Sequence, residues 1–139
     1  MVKRLSNKDF ASIYAEVPRA CVDLVIENKQ GVLFTKRKIK SYYGMWHLPG
    51  GTILFKEPIY SAAKRIAKEE LDLMVKPIKI LGGLECFNKT HDVSLVILIK
   101  IISGNIKLDH QASKYGFFKI SPKNTIKSHS VFIKTYFKN

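Results

Sequence analysis

The chain has 139 residues, 46% of them hydrophobic and 25% charged, with 24 Lys and Arg against 11 Asp and Glu for a net charge of +13. That length and apolar content suit one globular domain spanning 1–139 and exclude a disordered chain. The longest apolar run, Val93–Ile102, is broken by Ser94 and Lys100 and is too short for a bilayer span, so no membrane partner is expected.

The charge draws in polyanions, but the lysines are spread along the whole chain, as on a solvated surface, which argues against nucleic acid as the main partner. The opening Met1-Val2-Lys3-Arg4 leads into polar residues, so no signal sequence is expected. Cys21 and Cys86 have no metal-ligand spacing and read as buried free thiols, which makes the cytoplasm the default compartment.

In chain order, Ser6 reads as the N-cap of a first helix, with Asp9 three residues on and a stripe of Phe10, Ile13 and Tyr14 ending before Pro18. Ala20–Glu27 and Val32–Thr35 read as strands joined by the hairpin signal Asn28-Lys29-Gln30-Gly31. The basic stretch Lys36–Lys40 leads into a loop and short strand at Tyr42–Trp46. Pro58–Leu71 reads as a helix whose Ile59, Ala62, Ala63, Ile66, Ala67 and Leu71 face a sheet. Val75–Leu81, Leu84–Phe87, Ser94–Ile102 and Tyr115–Ile120 follow as strands, with a closing helix over Ser128–Phe137. The expected fold class is α/β, a mixed sheet between helices.

The chemistry concentrates after Trp46-His47-Leu48-Pro49-Gly50-Gly51, which reads as a tight glycine turn. Five residues separate Gly51 from Glu57, seven separate Glu57 from Arg65, and Glu69 and Glu70 follow four and five positions after Arg65. On a helix, 65 and 69 share a face and 70 lies about 100° from 69, so two carboxylates lean to one side. Hard oxygen ligands of this kind suit Mg²⁺ or Mn²⁺.

This spacing resembles the Nudix box, with two departures: Ile66 stands where the box has Glu, and Asp72 where it has a second glycine. The resemblance implies a Nudix α/β/α sandwich with a mixed β-sheet and a loop–helix–loop box. Leu5-Ser6, Asp9-Phe10-Ala11, Val22-Asp23-Leu24, Ile26-Glu27-Asn28, Gly31, Lys36-Arg37 and Arg65-Ile66 resemble the GDP-mannose mannosyl hydrolase branch. The likeness thins after Leu73. That branch cuts the carbon–oxygen bond at the sugar and releases nucleoside diphosphate.

The resemblance then implies a site. Gly50 and Glu70 match that branch's metal-binding positions. Glu69 is an addition shared with ordinary Nudix boxes, so the metal set is Gly50, Glu69 and Glu70. Arg37 would neutralise the leaving diphosphate, Asp23 would lie near substrate, and His91 would approach the diphosphate. His129 falls near the branch's histidine base, with Lys127 competing for the position. Arg37, His91, His129 and Arg65 are the catalytic expectation, and Asp23, Arg37 and His91 the substrate-binding one.

Thr52 departs from the branch, which carries a second arginine there. His47, beside Trp46, reads as structural, and His110 as part of a solvated loop. Three functions stay open: hydrolysis of a nucleotide sugar at the sugar carbon, attack at phosphorus on a nucleotide derivative, and a silent nucleotide- or RNA-binding protein. A symmetric homodimer is the assembly that the branch implies.

Overall fold

Two long strands, β1 (Arg19–Asn28) and β6 (His91–Ser103), run parallel at the centre, registered from Arg19↔Asp92 to Ile26↔Ile99. The computed structural model describes residues 3–138; Met1, Val2 and Asn139 lie outside the described residues, and with them part of the opening read for a signal sequence. β5 (Met74–Phe87) is antiparallel to β6 on its outer side, and β4 (Gly50–Thr52) is antiparallel to the first half of β1. β2 (Gly31–Arg37) meets β1 only at the hairpin, through Glu27↔Val32 and Asn28↔Gly31. It then leaves β1 to pair with β3 (Trp46–His47) and β7 (Ala112–Phe118). Gly31 is required at that hairpin, since its φ of +134° disfavours any side chain and a Cβ would strike the Phe118 backbone.

Side chains alternate across a strand, and this sorts β1 into two cores. Val22, Leu24 and Ile26 join Ile97 and Ile99 beneath α2 (Ile59–Leu71), which buries Ala62, Ala63, Ile66, Ala67 and Leu71 as its apolar spacing predicts. Val25 and Val96 point the other way, toward Phe34, Leu48 and Ile133 of α3 (Lys127–Lys138). Helices therefore cover both faces of a mixed sheet, the expected α/β/α sandwich. Burying each of these large aliphatic side chains contributes about 2 kcal/mol.

Local signals match the elements closely. Ser6 caps α1 (Asn7–Tyr14) by accepting from the Asp9 N–H at 3.1 Å. Pro58 is the N-cap of α2 rather than part of its first turn. Asp72 ends α2 in the left-handed region at φ 56°, the conformation for which glycine is usual, and Lys68 pairs with its carboxylate at 2.7 Å.

Three expectations change. Gly50-Gly51 is not a tight turn but part of β4, held by the pairs Asp23↔Gly50 and Val22↔Gly51. Val75–Leu81 and Leu84–Phe87 form one strand, because unbroken β6 carries β5 across Gly82-Gly83 with only a register shift between Ile80 and Gly82. β6 starts at His91 rather than Ser94, and β7 covers 112–118 rather than 115–120. Among the described residues, no helix is long and apolar enough to cross a membrane.

Candidate active site

Where β2 leaves β1, a cleft of about 850 Å³ opens, lined by side chains from β1, β2, β4, α2, β6 and α3 and by the N-terminal segment. Its floor follows strand parity. Arg19, Cys21 and Asp23 of β1 and Asp92 and Ser94 of β6 all line the cleft.

Asp23 is 8% exposed and accepts from Ser94 Oγ at 2.5 Å. Burial pushes its carboxyl up to about 7, against the opposing effect of that hydrogen bond. Gly50 lies directly across the β1–β4 ladder, where any Cβ would collide with Asp23 Oδ1 and the Val22 carbonyl, so only glycine allows β4 to sit so close.

The box carboxylates divide into two sets. Arg65 gives Nε and Nη2 to Glu57 at 2.7 and 3.0 Å, Nη1 to Glu69 at 2.9 Å, and Nη2 also to the Thr52 carbonyl at 2.8 Å. Glu57 in turn accepts from the Leu54 N–H at 3.0 Å, which closes the turn before α2. Glu69 also pairs with Arg4. Arg65 therefore ties β4 and the turn to α2. Glu69 and Glu70 both line the cleft, and the one not engaged by Arg4 or Arg65 is Glu70, whose Oε2 lies 3.7 Å from where a Gly51 Cβ would stand. Burial lifts the Glu70 carboxyl to about 8, with Asp109 and Asp23 adding repulsion, while Arg37 and a backbone hydrogen bond from Gly50 oppose the shift. Ile66 is 1% exposed within the α2 core.

Arg37 lines the cleft and is held by its own loop: Nε donates to the Ser41 carbonyl at 2.6 Å and Nη2 to the Lys40 carbonyl at 3.1 Å. Ser41 and Tyr42, both at positive φ, shape the loop that receives it. His129 is 4% exposed and accepts the Leu48 N–H on Nδ1 at 2.9 Å, so the neutral ring carries its proton on Nε2, 4.0 Å from Asp23 Oδ2. Burial brings the His129 ring down to about 4. Lys127, its rival in sequence, is exposed. His47, also at the cleft, is buried between Thr35 Oγ1 at 3.2 Å and the Leu48 carbonyl at 2.7 Å.

The geometry places the two site histidines differently. His91 does not join the cleft: parity turns it to the other face, where it stacks on Phe87 at 4.5 Å and pairs with Glu85 at 2.8 Å. His129 reaches the cleft but faces it as an Nε2–H donor, because its accepting nitrogen is taken by Leu48.

The sequence also left residues unclaimed. Arg19 and Asp92 form a two-pronged pair at 2.9 and 2.7 Å within the cleft. Asp109, from the loop after β6, hydrogen-bonds its main-chain N–H to the Glu70 carbonyl at 3.3 Å and adds charge beside Glu70. The only signal for Asp109 was its place beside His110, which is exposed.

Among the described residues, no three His, Cys, Asp or Glu side chains converge at metal-binding distance. The donors fit one hard divalent cation better than a carboxylate-caged cluster. Glu70 is a desolvated carboxylate facing Asp23 and Asp109, and a cation would relieve that repulsion.

A mixed sheet between helices, with a glycine pair delivering a glutamate-bearing helix to a cleft, defines a Nudix domain. The NUDIX domain family model matches residues 17–124, and the chain belongs to this family of hydrolases. It is 32% identical over 125 residues to the low-salt glycan biosynthesis protein Agl8 of Haloferax volcanii, covering 84% of this chain and 80% of that protein. It is also 32% identical over 124 residues to an ADP-ribose pyrophosphatase of Methanocaldococcus jannaschii, covering 86% and 73%. Among solved structures it superposes on a MutT NUDIX hydrolase from Burkholderia pseudomallei with a TM-score of 0.78 at 25% identity, covering 86% of this chain and 98% of the other.

Proposed function

We propose that the protein is a divalent-metal-dependent hydrolase of a nucleoside diphosphate sugar, of the GDP-mannose type, that cuts at the sugar carbon and releases nucleoside diphosphate and sugar. One observation carries this reading: of the two α2 carboxylates that line the cleft, Glu69 is engaged by Arg4 and Arg65 and Glu70 by neither. Glu57 and Glu69 are engaged by Arg65, and position 66 is a buried isoleucine. Attack at phosphorus favours several carboxylates holding several ions. Departure of a nucleoside diphosphate from an anomeric carbon needs less, because the leaving group is good and one cation with a guanidinium can take its charge.

In this reading Glu70 and the Gly50 carbonyl hold Mg²⁺ or Mn²⁺, which when bound neutralises charge on the diphosphate. Arg37, pre-set by the Lys40 and Ser41 carbonyls, presents its remaining N–H groups to the departing oxygens. Asp23, kept basic near neutrality by burial, accepts a proton from the attacking water, and His129 Nε2–H orients the groups around it.

A second reading, attack at phosphorus, has an observation of its own: Asp109, bonded through its main chain to Glu70, adds negative charge to that of Asp23 around Glu70. Hydrolysis of a nucleotide-sugar panel with Mg²⁺ in ¹⁸O water decides between them. Label in the sugar supports carbon attack, label in phosphate supports phosphorus attack, and no turnover supports a silent binder.

A further inference from the structure

Arg19 enters the cleft from β1 with its guanidinium fixed on three sides. Nε and Nη2 donate to Asp92 Oδ1 and Oδ2 at 2.9 and 2.7 Å, and Nη1 donates to Thr52 Oγ1 at 2.6 Å. The sheet explains the meeting. Arg19 is registered with Asp92 across the parallel β1–β6 ladder, and Thr52 with Cys21, the next cleft-facing residue of β1. Phe10 of α1 lies 5.5 Å beneath the guanidinium carbon. The Arg19 and Asp92 side chains are 19% and 18% exposed, so both are mostly withdrawn from water while still lining the cleft.

Of the five guanidinium N–H groups, three are used, leaving one on each terminal nitrogen. Arg37 lines the same cleft from β2, and its pKa is lowered chiefly by burial, with repulsion from Arg19 a lesser cause in the same direction. Two guanidinium groups that repel within one cleft are relieved by an anion between them.

We propose that Arg19 is a second diphosphate-binding cation, acting with Arg37, and that it supplies from β1 the charge that the resembling branch carries at position 52. Thr52 Oγ1 accepts one N–H of Arg19, from Nη1, so the Arg19 guanidinium lies against position 52. Asp92 is a positioning residue: its two-pronged grip sets the plane of the guanidinium before substrate arrives. The inference rests on the nucleotide-sugar reading and adds a residue that the sequence comparison had left without a role.

The test is titration calorimetry of GDP and of ADP with Mg²⁺ on wild-type protein, Arg19→Gln, and Arg19→Gln combined with Thr52→Arg, beside turnover of the nucleotide-sugar panel. Arg19→Gln is expected to weaken diphosphate binding about tenfold or more, the loss of a charge-assisted contact. Turnover should fall further than binding, and Thr52→Arg in that background should restore much of both. Undiminished affinity in Arg19→Gln, with only a lower melting temperature, would make the Arg19–Asp92 pair a structural clamp and overturn the proposal.

A measurement on wild-type protein covers a failure of the glutamine variant to fold. The Arg19 Nε–H resonance, assigned with Arg19→Lys, should shift on adding GDP and Mg²⁺, and an unmoved resonance overturns the proposal equally. If wild-type protein binds neither diphosphate, the nucleotide-sugar reading fails with it. If wild type binds and Arg19→Gln binds as well, only the role of Arg19 falls.

Discussion

Glu57 and Arg65 face each other in a two-pronged ion pair, Nε to Oε2 at 2.7 Å and Nη2 to Oε1 at 3.0 Å, with the glutamate side chain only 4% exposed. The same guanidinium grips the Thr52 carbonyl of β4, so this pair fastens the glycine strand to the helix that bears Glu70. Removing one partner leaves the other charge buried. Arg65→Ala should cost about 3 kcal/mol of stability, and Arg65→Lys should recover only part of it because a lysine cannot span both oxygens. Chemical denaturation measures the loss. An unchanged midpoint for Arg65→Ala would mean that Glu57 finds another partner.

Glu69 and Glu70 are neighbours in sequence with different surroundings. Both line the cleft, but Glu69 is largely exposed and paired with Arg4 and Arg65, while Glu70 is paired with neither. Glu70→Gln should abolish most turnover, by about a hundredfold or more, and remove the thermal stabilisation given by Mg²⁺. Glu69→Gln should leave Mg²⁺ stabilisation in place and lower activity only a few-fold. Equal losses would put both glutamates on the metal and favour the phosphorus-attacking reading.

The raised Glu70 carboxyl gives a pH signature. Between its ordinary value of 4.5 and about 8, the folded protein free of divalent ions holds a proton that the unfolded chain has released. The folded state binds more protons in that window, so stability in EDTA falls as pH rises, and Asp23, lifted to about 7, acts with the same sign. His47 and His129, brought down to about 3 and about 4, act oppositely, but only below pH 6.5. Divalent binding requires the carboxylate, so the melting-temperature gap between Mg²⁺ and EDTA should widen from pH 6.5 to 8.5. In Glu70→Gln it should stay flat, and a wild-type gap independent of pH would contradict the assignment.

Ile66 stands where the family's box carries glutamate, and it is sealed in the α2 core against Gly51, its Cδ1 lying 3.3 Å from where a Cβ there would be. Ile66→Glu places an unpaired carboxylate among aliphatic neighbours and should destabilise by about 3 kcal/mol or more. It should not raise sugar release. A gain in pyrophosphatase activity would instead identify the protein as a phosphorus-attacking enzyme that has lost one acid.

What could be read from the chain was local. The Ser6 cap, the Asn28–Gly31 hairpin and the buried stripe of α2 depend on residues a few positions apart, and each appears as its pattern predicts. The failures share one cause, which is long-range register. The sequence put His91 forward and left Asp92 unclaimed, and only the pairing of Asp92 with Arg19 across the β1–β6 ladder shows which of the two enters the cleft. Gly50-Gly51 looks like a turn until Asp23 is seen opposite as its strand partner. Asp109 reaches Glu70 across a sequence gap that no local pattern bridges.

β1 shares its ladder with β6 along most of its length, with β4 over Cys21–Asp23 and with β2 only at the hairpin corner. The cleft thus has a floor and walls under separate control. Changes in the segment 38–45 or the turn 104–111 would reshape the rim without touching the ladders that hold Asp23, Asp92 and Ser94. Lineages descended from such a chain can change what the cleft admits by remodelling these loops, so long as the Lys40 and Ser41 carbonyls that hold Arg37 stay in place, while the strand-borne floor is inherited intact.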